Sequence, residues 1–190
     1  MNTTVDWSWK LREAIERLKT RYEHIGRKTG APFLAIVYPP EAEGAVFREW
    51  RMLLRTLGSD FDIRSIDVLA ATMTTVSDLG ADNILNSMND PMPGSNPEAE
   101  LGHLWTAAVV ARVREEMSKS THGKLVITLE RLAALYPAAG PRAIMQELWG
   151  SEQSILEGPV IVLIPGTLTE PRVYFFVNQR EEFMYRGDIL

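Results

Sequence analysis

The sequence predicts an α/β protein: a three-layer sandwich in which a mainly parallel sheet lies between two layers of helices, finished by a C-terminal hairpin. Two stretches of strand length, Phe33–Tyr38 and Pro159–Ile164, are apolar almost throughout, and a strand is apolar at successive positions only when both its faces are covered. The segments beside them repeat apolar residues every three or four positions. Helical and extended patterns therefore alternate along the chain, as a parallel sheet with crossover helices requires. With 190 residues, 45% apolar and 24% charged, the chain can bury one full-sized core, and residues 1–190 read as a single domain.

Leu11, Ile15, Leu18, Tyr22 and Ile25 mark one face of a first helix that Gly30 and Pro32 stop. Its other face carries Lys10, Arg12, Arg17, Lys19, Arg21, Arg27 and Lys28 against Glu13, Glu16 and Glu23, a local surplus of four positive charges. The strand Phe33–Tyr38 runs into Pro39-Pro40-Glu41, where proline and acidic residues suit a helix N-terminus. Val46, Trp50, Leu53 and Leu57 then form a second apolar helical face, with Gly58 as its C-cap. Phe61 to Val68 alternates as a strand and passes into a helix near Leu69. Ser87 to Pro97 holds three prolines and a glycine without periodicity, which predicts a flexible loop. Glu98 to Ser118 reads as a helix with Leu101, Leu104, Trp105, Ala108 and Val109 on its apolar side. Lys124–Thr128 is a third short strand, and Pro141 opens a helix through Met145 and Leu148. Pro159–Ile164 is expected to end at a turn, Pro165-Gly166-Thr167. Val173–Val177 and Phe183–Tyr185 complete a hairpin around Asn178 to Glu182.

Composition excludes several chemistries. The chain has no cysteine, which removes disulfides, thiolate nucleophiles, thiolate zinc sites and iron–sulfur clusters, and fits a reducing compartment. No apolar run approaches the roughly 18 residues that span a bilayer, and Met1 to Asp6 is polar. The expectation is a cytoplasmic protein without membrane contact. A formal charge of −5 opposes whole-surface attraction to phosphate backbones, although a local basic patch remains compatible with it.

The strand-end motifs narrow the chemistry further. A parallel sheet offers a nucleotide site at the carboxyl ends of its strands, but Pro39 and Pro40 contribute no N–H to a phosphate, and Glu41 and Glu43 repel one. The Gly123-Lys124 pair lacks the upstream glycine of a phosphate-binding loop and precedes a strand. There is no Gly-x-Ser-x-Gly elbow. His24, His103 and His122 are scattered. Glu100 and His103 share a helical face, but no second such pair completes a metal site. No cofactor, metal or catalytic residue is therefore expected.

Two groups remain as candidate surfaces. Tyr38, Glu41, Glu130, Arg131 and Thr167 lie at or just beyond strand ends that a parallel sheet gathers on one rim, where they could serve as an interaction surface. Arg17 and Arg21 on the first helix, with Arg48 and Arg51 on the second, could track phosphates, although interspersed glutamates make an ordinary solvated exterior the favoured reading. Met88 and Met92 beside Pro91 read as an adaptable contact surface at most. Trp7 and Trp9 are expected to dock on the core.

Three segments together resemble a known family. Phe33-Leu-Ala-Ile-Val-Tyr-Pro-Pro-Glu41, Glu130-Arg-Leu-Ala-Ala-Leu-Tyr-Pro137 and Pro159-Val-Ile-Val-Leu-Ile-Pro-Gly-Thr167, with the ending Tyr185-Arg186-Gly187-Asp188-Ile189-Leu190, are similar in order and length to the BrxB family of BREX phage-defence systems. The resemblance covers nearly the whole chain. It implies a small non-catalytic adaptor in a bacterial assembly that modifies host DNA and blocks phage replication, acting beside a methyltransferase, a phosphatase-like protein and a large ATPase. It transfers no catalytic residue. The strand-loop-helix after Tyr38 also resembles a nucleotide-binding core that has lost its phosphate loop. The alternative expectation is a nucleotide-responsive or DNA-contacting regulatory subunit of the same system.

Overall fold

The computed structural model describes residues 7–119, 121–150 and 156–190; the polar stretch Met1 to Asp6 lies outside them. The helices are α1 (Trp7–Arg21), α2 (Glu43–Leu54), α3 (Val68–Leu79), α4 (Ala81–Asn89), α5 (Pro97–Ser118) and α6 (Pro141–Gly150). The strands are β1 (Phe33–Tyr38), β2 (Phe61–Asp67), β3 (Lys124–Glu130), β4 (Val160–Glu170), β5 (Val173–Phe176), β6 (Arg180–Phe183) and β7 (Asp188–Ile189).

The parallel part of the sheet runs β2-β3-β4-β1-β7, and β5 and β6 extend β4 as an antiparallel hairpin. The period of two in each buried strand divides the core into two layers. Leu34, Ile36 and Tyr38 of β1, with Ile161 and Leu163 of β4, meet α1 and α2. Phe33, Ala35 and Val37, with Val160, Val162 and Ile164, meet α5 and α6 on the other face. Sequence and structure agree on a three-layer α/β sandwich. No helix among the described residues is long and apolar enough to cross a membrane.

Local N-cap side chains begin α3 and α5. Asp67 accepts from the Ala70 N–H at 3.2 Å to start α3, and Asn96 accepts from the Ala99 N–H at 3.1 Å, with Pro97 next, to start α5.

Several elements differ from expectation. The first helix ends at Arg21, so Tyr22 and Ile25 sit in tight turns beyond it, and the Tyr22 hydroxyl donates to the Leu125 carbonyl at 2.7 Å. The expected loop over 87–97 is shorter, because α4 runs to Asn89 and only residues 90–96 connect it to α5. Leu104, assigned to the apolar side of α5, is exposed, whereas Gly102 and Thr106 are buried. Gly102 packs so closely on the Ala138 carbonyl that the contact face of α5 follows its smallest residue and not its largest. Pro165-Gly166-Thr167 does not end β4. The strand continues through it and leaves β1, because Gly166 lies directly against the Phe175 backbone and lets β5 pair there. The hairpin turn is Val177-Asn178-Gln179, its first two residues left-handed with φ of 47° and 58°, and Glu182 belongs to β6 and not to the loop. Strand β7 was not expected: two residues pair in parallel with β1, and Leu190 exchanges backbone hydrogen bonds with Ala35 and Val37.

Candidate functional site

The carboxyl rim is built by the ends of β1, β2 and β3. Crossover β1 to β2 passes over the α1/α2 face, while β2 to β3 and β3 to β4 pass over the other, so the chain changes face beside β1, where open α/β sheets bind ligands. Here that position is filled. Tyr38 is fully buried, its ring edge-on to Phe47, and its hydroxyl donates to Glu43 Oε2 at 3.0 Å. Burial, with Glu43 and then Glu130 nearby, pushes its ionisation far above the ordinary tyrosine range. Pro39 and Pro40 lead into a short turn closed by the Ala42 N–H on the Pro39 carbonyl. An anion arriving here meets carboxylates and a phenol ring in place of free N–H groups.

The predicted rim residues separate. Tyr38 and Glu130 share the α1/α2 side. Glu130 is buried, with Oε2 accepting from Arg51 at 3.2 Å and Oε1 without a hydrogen-bond partner among the described residues. Arg131, in a left-handed conformation at φ 59°, pairs with Asp67 at 3.2 Å beside it. Glu41 is exposed on the turn before α2. Thr167 stands apart, because β4 carries it out to the hairpin, where its hydroxyl bonds Asn178 Oδ1 at 2.8 Å. The basic face is also interrupted. Arg51 is turned to Glu130, Arg48 is exposed on α2, and Arg17 and Arg21 line a cavity beyond the end of α1. Trp7 packs against the α1/α2 core as expected, but Trp9 is half exposed.

A second polar site was not legible in the sequence. Glu182 stands directly opposite Tyr174 in the hairpin and is buried. Its Oε2 accepts from the Tyr174 hydroxyl at 2.7 Å and from the Arg142 N–H at 3.0 Å, which caps the start of α6. Gly140 leaves the room it occupies, since a Cβ there would lie 2.0 Å from Glu182 Oε1. A cavity of about 750 Å³ adjoins it, with His103, Arg142 and Arg180 in its wall. Glu100, expected beside His103, instead lines a groove with Leu79, Met88 and Leu104. A three-residue turn over Val177-Asn178-Gln179 pairs Phe176 with Arg180 and so sets Glu182 across from Tyr174, a register that a loop from Asn178 to Glu182 does not give.

Burial pushes the Glu182 carboxyl above its ordinary range, while Tyr174 and the Arg142 N–H pull it back. With a folded pKa above the unfolded one, this group contributes stability that is present in full below about pH 4.3 and is lost as the pH rises through the folded value. Glu182→Gln keeps an acceptor for both donors and removes the buried charge. Urea unfolding should show its stability advantage over the native chain widening from pH 4 to pH 8. A difference independent of pH would mean that the carboxylate carries no desolvation cost.

The remaining prominent surface is apolar. Seven of the twelve exposed large apolar side chains among the described residues lie between Leu69 and Leu104, and Met92 is 76% exposed. Helix α4 has no buried residue, yet it carries Ile84, Leu85 and Met88 at helical spacing. Leu79, Met88 and Leu104 share one shallow groove of about 200 Å³ between α4 and α5. The surface that the sequence reduced to two loop methionines is in fact a helix and the groove beside it.

Among the described residues no cluster of three or more histidine, aspartate or glutamate side chains could hold a metal ion. No family model matches the chain, and neither a curated protein nor a solved structure is significantly similar to it.

Proposed function

We propose that this chain is a non-catalytic adaptor of a BREX-type defence assembly and that α4 with its groove is the surface by which it holds a partner protein. The observation that carries the reading is an amphipathic helix none of whose residues is buried. A helix with an apolar stripe normally spends it on a core, and one that does not is a docking element. Methionines at 73, 88 and 92 give that surface the adaptable contacts of a protein-binding site. The carboxyl rim, filled by Tyr38 and flanked by carboxylates, favours an adaptor over a nucleotide-responsive module. The partners come from the family resemblance alone: the methyltransferase, the phosphatase-like protein and the large ATPase.

The test is pairwise co-purification of the chain with each of the three, using the native protein and the double variant Leu85→Glu, Met88→Glu. Both positions are exposed, so folding should survive, and thermal unfolding verifies it. One of the three is expected to bind, and the variant should weaken that complex by roughly thirtyfold or more, the effect of losing a hot-spot anchor. Binding to none of them, or equal binding by the variant, overturns the proposal.

A further inference from the structure

A separate cavity lies where α1 ends. It measures about 580 Å³, and Arg17, Arg21, His24 and Lys28 line it, with Asp188 as the single acidic residue in its wall among the described residues. Arg17 and Arg21 are one turn apart on α1. His24 and Lys28 come from the tight turns that follow. Gly26 folds those turns back: its φ is +65°, its N–H donates to Asp188 Oδ2 at 3.1 Å, and a Cβ there would strike the Ala31 carbonyl. The cradle is thus tied to β7 and the core while its cations face solvent.

We infer that this cavity binds a phosphate group. Arg17, Arg21 and Lys28 stand against the Asp188 carboxylate in its wall, a local excess of positive charge in a chain whose overall charge is −5. Asp188 is already committed to the Gly26 N–H. Arg17 is held by Glu13 at 2.8 Å, an exchangeable i,i+4 pair at a partly exposed position. Arg21 and Lys28 have no ion-pair partner among the described residues. Two guanidinium forks and an ammonium suit a phosphate, which accepts bidentate hydrogen bonds from arginine and point charge from lysine. The volume exceeds what an isolated phosphate fills and falls within the range of ligand sites, so the group arrives as an ester, either on a small molecule or in a nucleic-acid backbone. This goes beyond the adaptor reading: the cavity shares no residue with α4 or its groove.

Calorimetric titration with inorganic pyrophosphate and, separately, with a short DNA duplex at low salt distinguishes the sources. The variants are the double substitution Arg21→Gln, Lys28→Gln, with Lys119→Gln just beyond the end of α5 as a control away from the cavity. All three positions are exposed, and circular dichroism verifies the fold. At least one probe is expected to bind, and the double variant should weaken that binding tenfold to about a hundredfold while the control does not. If the duplex binds, the slope of log K against log salt should fall by about two in the double variant. Pyrophosphate binding identifies a small phosphorylated ligand, and duplex binding alone identifies a backbone phosphate. Binding of neither probe, or binding that the double variant leaves unchanged, overturns the inference. Because Leu85→Glu, Met88→Glu leaves this cavity intact, the two proposals fail independently.

Discussion

Trp50→Ala should lower the unfolding free energy by about 3–5 kcal/mol, the cost of removing a large aromatic from a close-packed core that cannot collapse into the space. Trp50 is fully buried on α2, among the largest of the buried side chains, and packs in the layer shared by α1, α2, β1 and β4. Its indole Nε1 has no hydrogen-bond partner among the described residues, so packing holds the ring. That detail sets up the comparison with Trp50→Phe, which gives up part of the ring but also removes a buried orphan donor. It should cost less than about 2 kcal/mol. Urea unfolding of the three proteins decides the matter. If the phenylalanine variant were as unstable as the alanine variant, the indole nitrogen would have to hold a partner, such as a buried water.

Gly26→Ala should cost at least about 3 kcal/mol, because a left-handed conformation is costly for alanine and a direct collision with backbone adds to it. At Gly26 the added Cβ would lie 1.8 Å from the Ala31 carbonyl oxygen, and the obstacle is main chain leading into β1. Gly58 provides the contrast. It too has positive φ, at 73°, but an added Cβ meets nothing within 4 Å. Gly58→Ala should therefore show the conformational cost alone, about 1–2 kcal/mol. Equal losses at the two sites would mean that the 26–31 turn relaxes freely, and the cradle of Arg21 and Lys28 would then not be preorganised.

The candidate surfaces were unevenly legible. The Pro39-Pro40-Glu41 turn could be judged unfit for phosphate from residue types, since a proline lacks its N–H in any fold. The grouping of Thr167 with Tyr38 could not be judged, because it depended on where β4 stops, and the close approach at Gly166 carries the strand past the rim. The sequence pattern puts Met88 and Met92 in a loop, whereas Met88 lies on α4. Asn83 and Asn86 lie within α4 and three prolines follow close behind it, which hid a helix whose apolar stripe is spent on no core. Arg17 and Arg21 stood out as charges, but their convergence with Lys28 rests on the left-handed turn at Gly26.

Sequence alone determined the layered α/β architecture, the identity of the two central strands and the lack of an N–H-rich turn after β1. These follow from local facts: apolar runs that need two covered faces, and backbone groups that proline does not possess. Tertiary structure alone decided the places where residues far apart in the chain meet. Examples are the short β7 beside β1, the burial of Glu182 against Tyr174 and Arg142, and the pairing of Arg51 with Glu130. In each of these, the partner is set by strand register and helix packing, which depend on the whole core at once and leave no periodic trace in the segment itself.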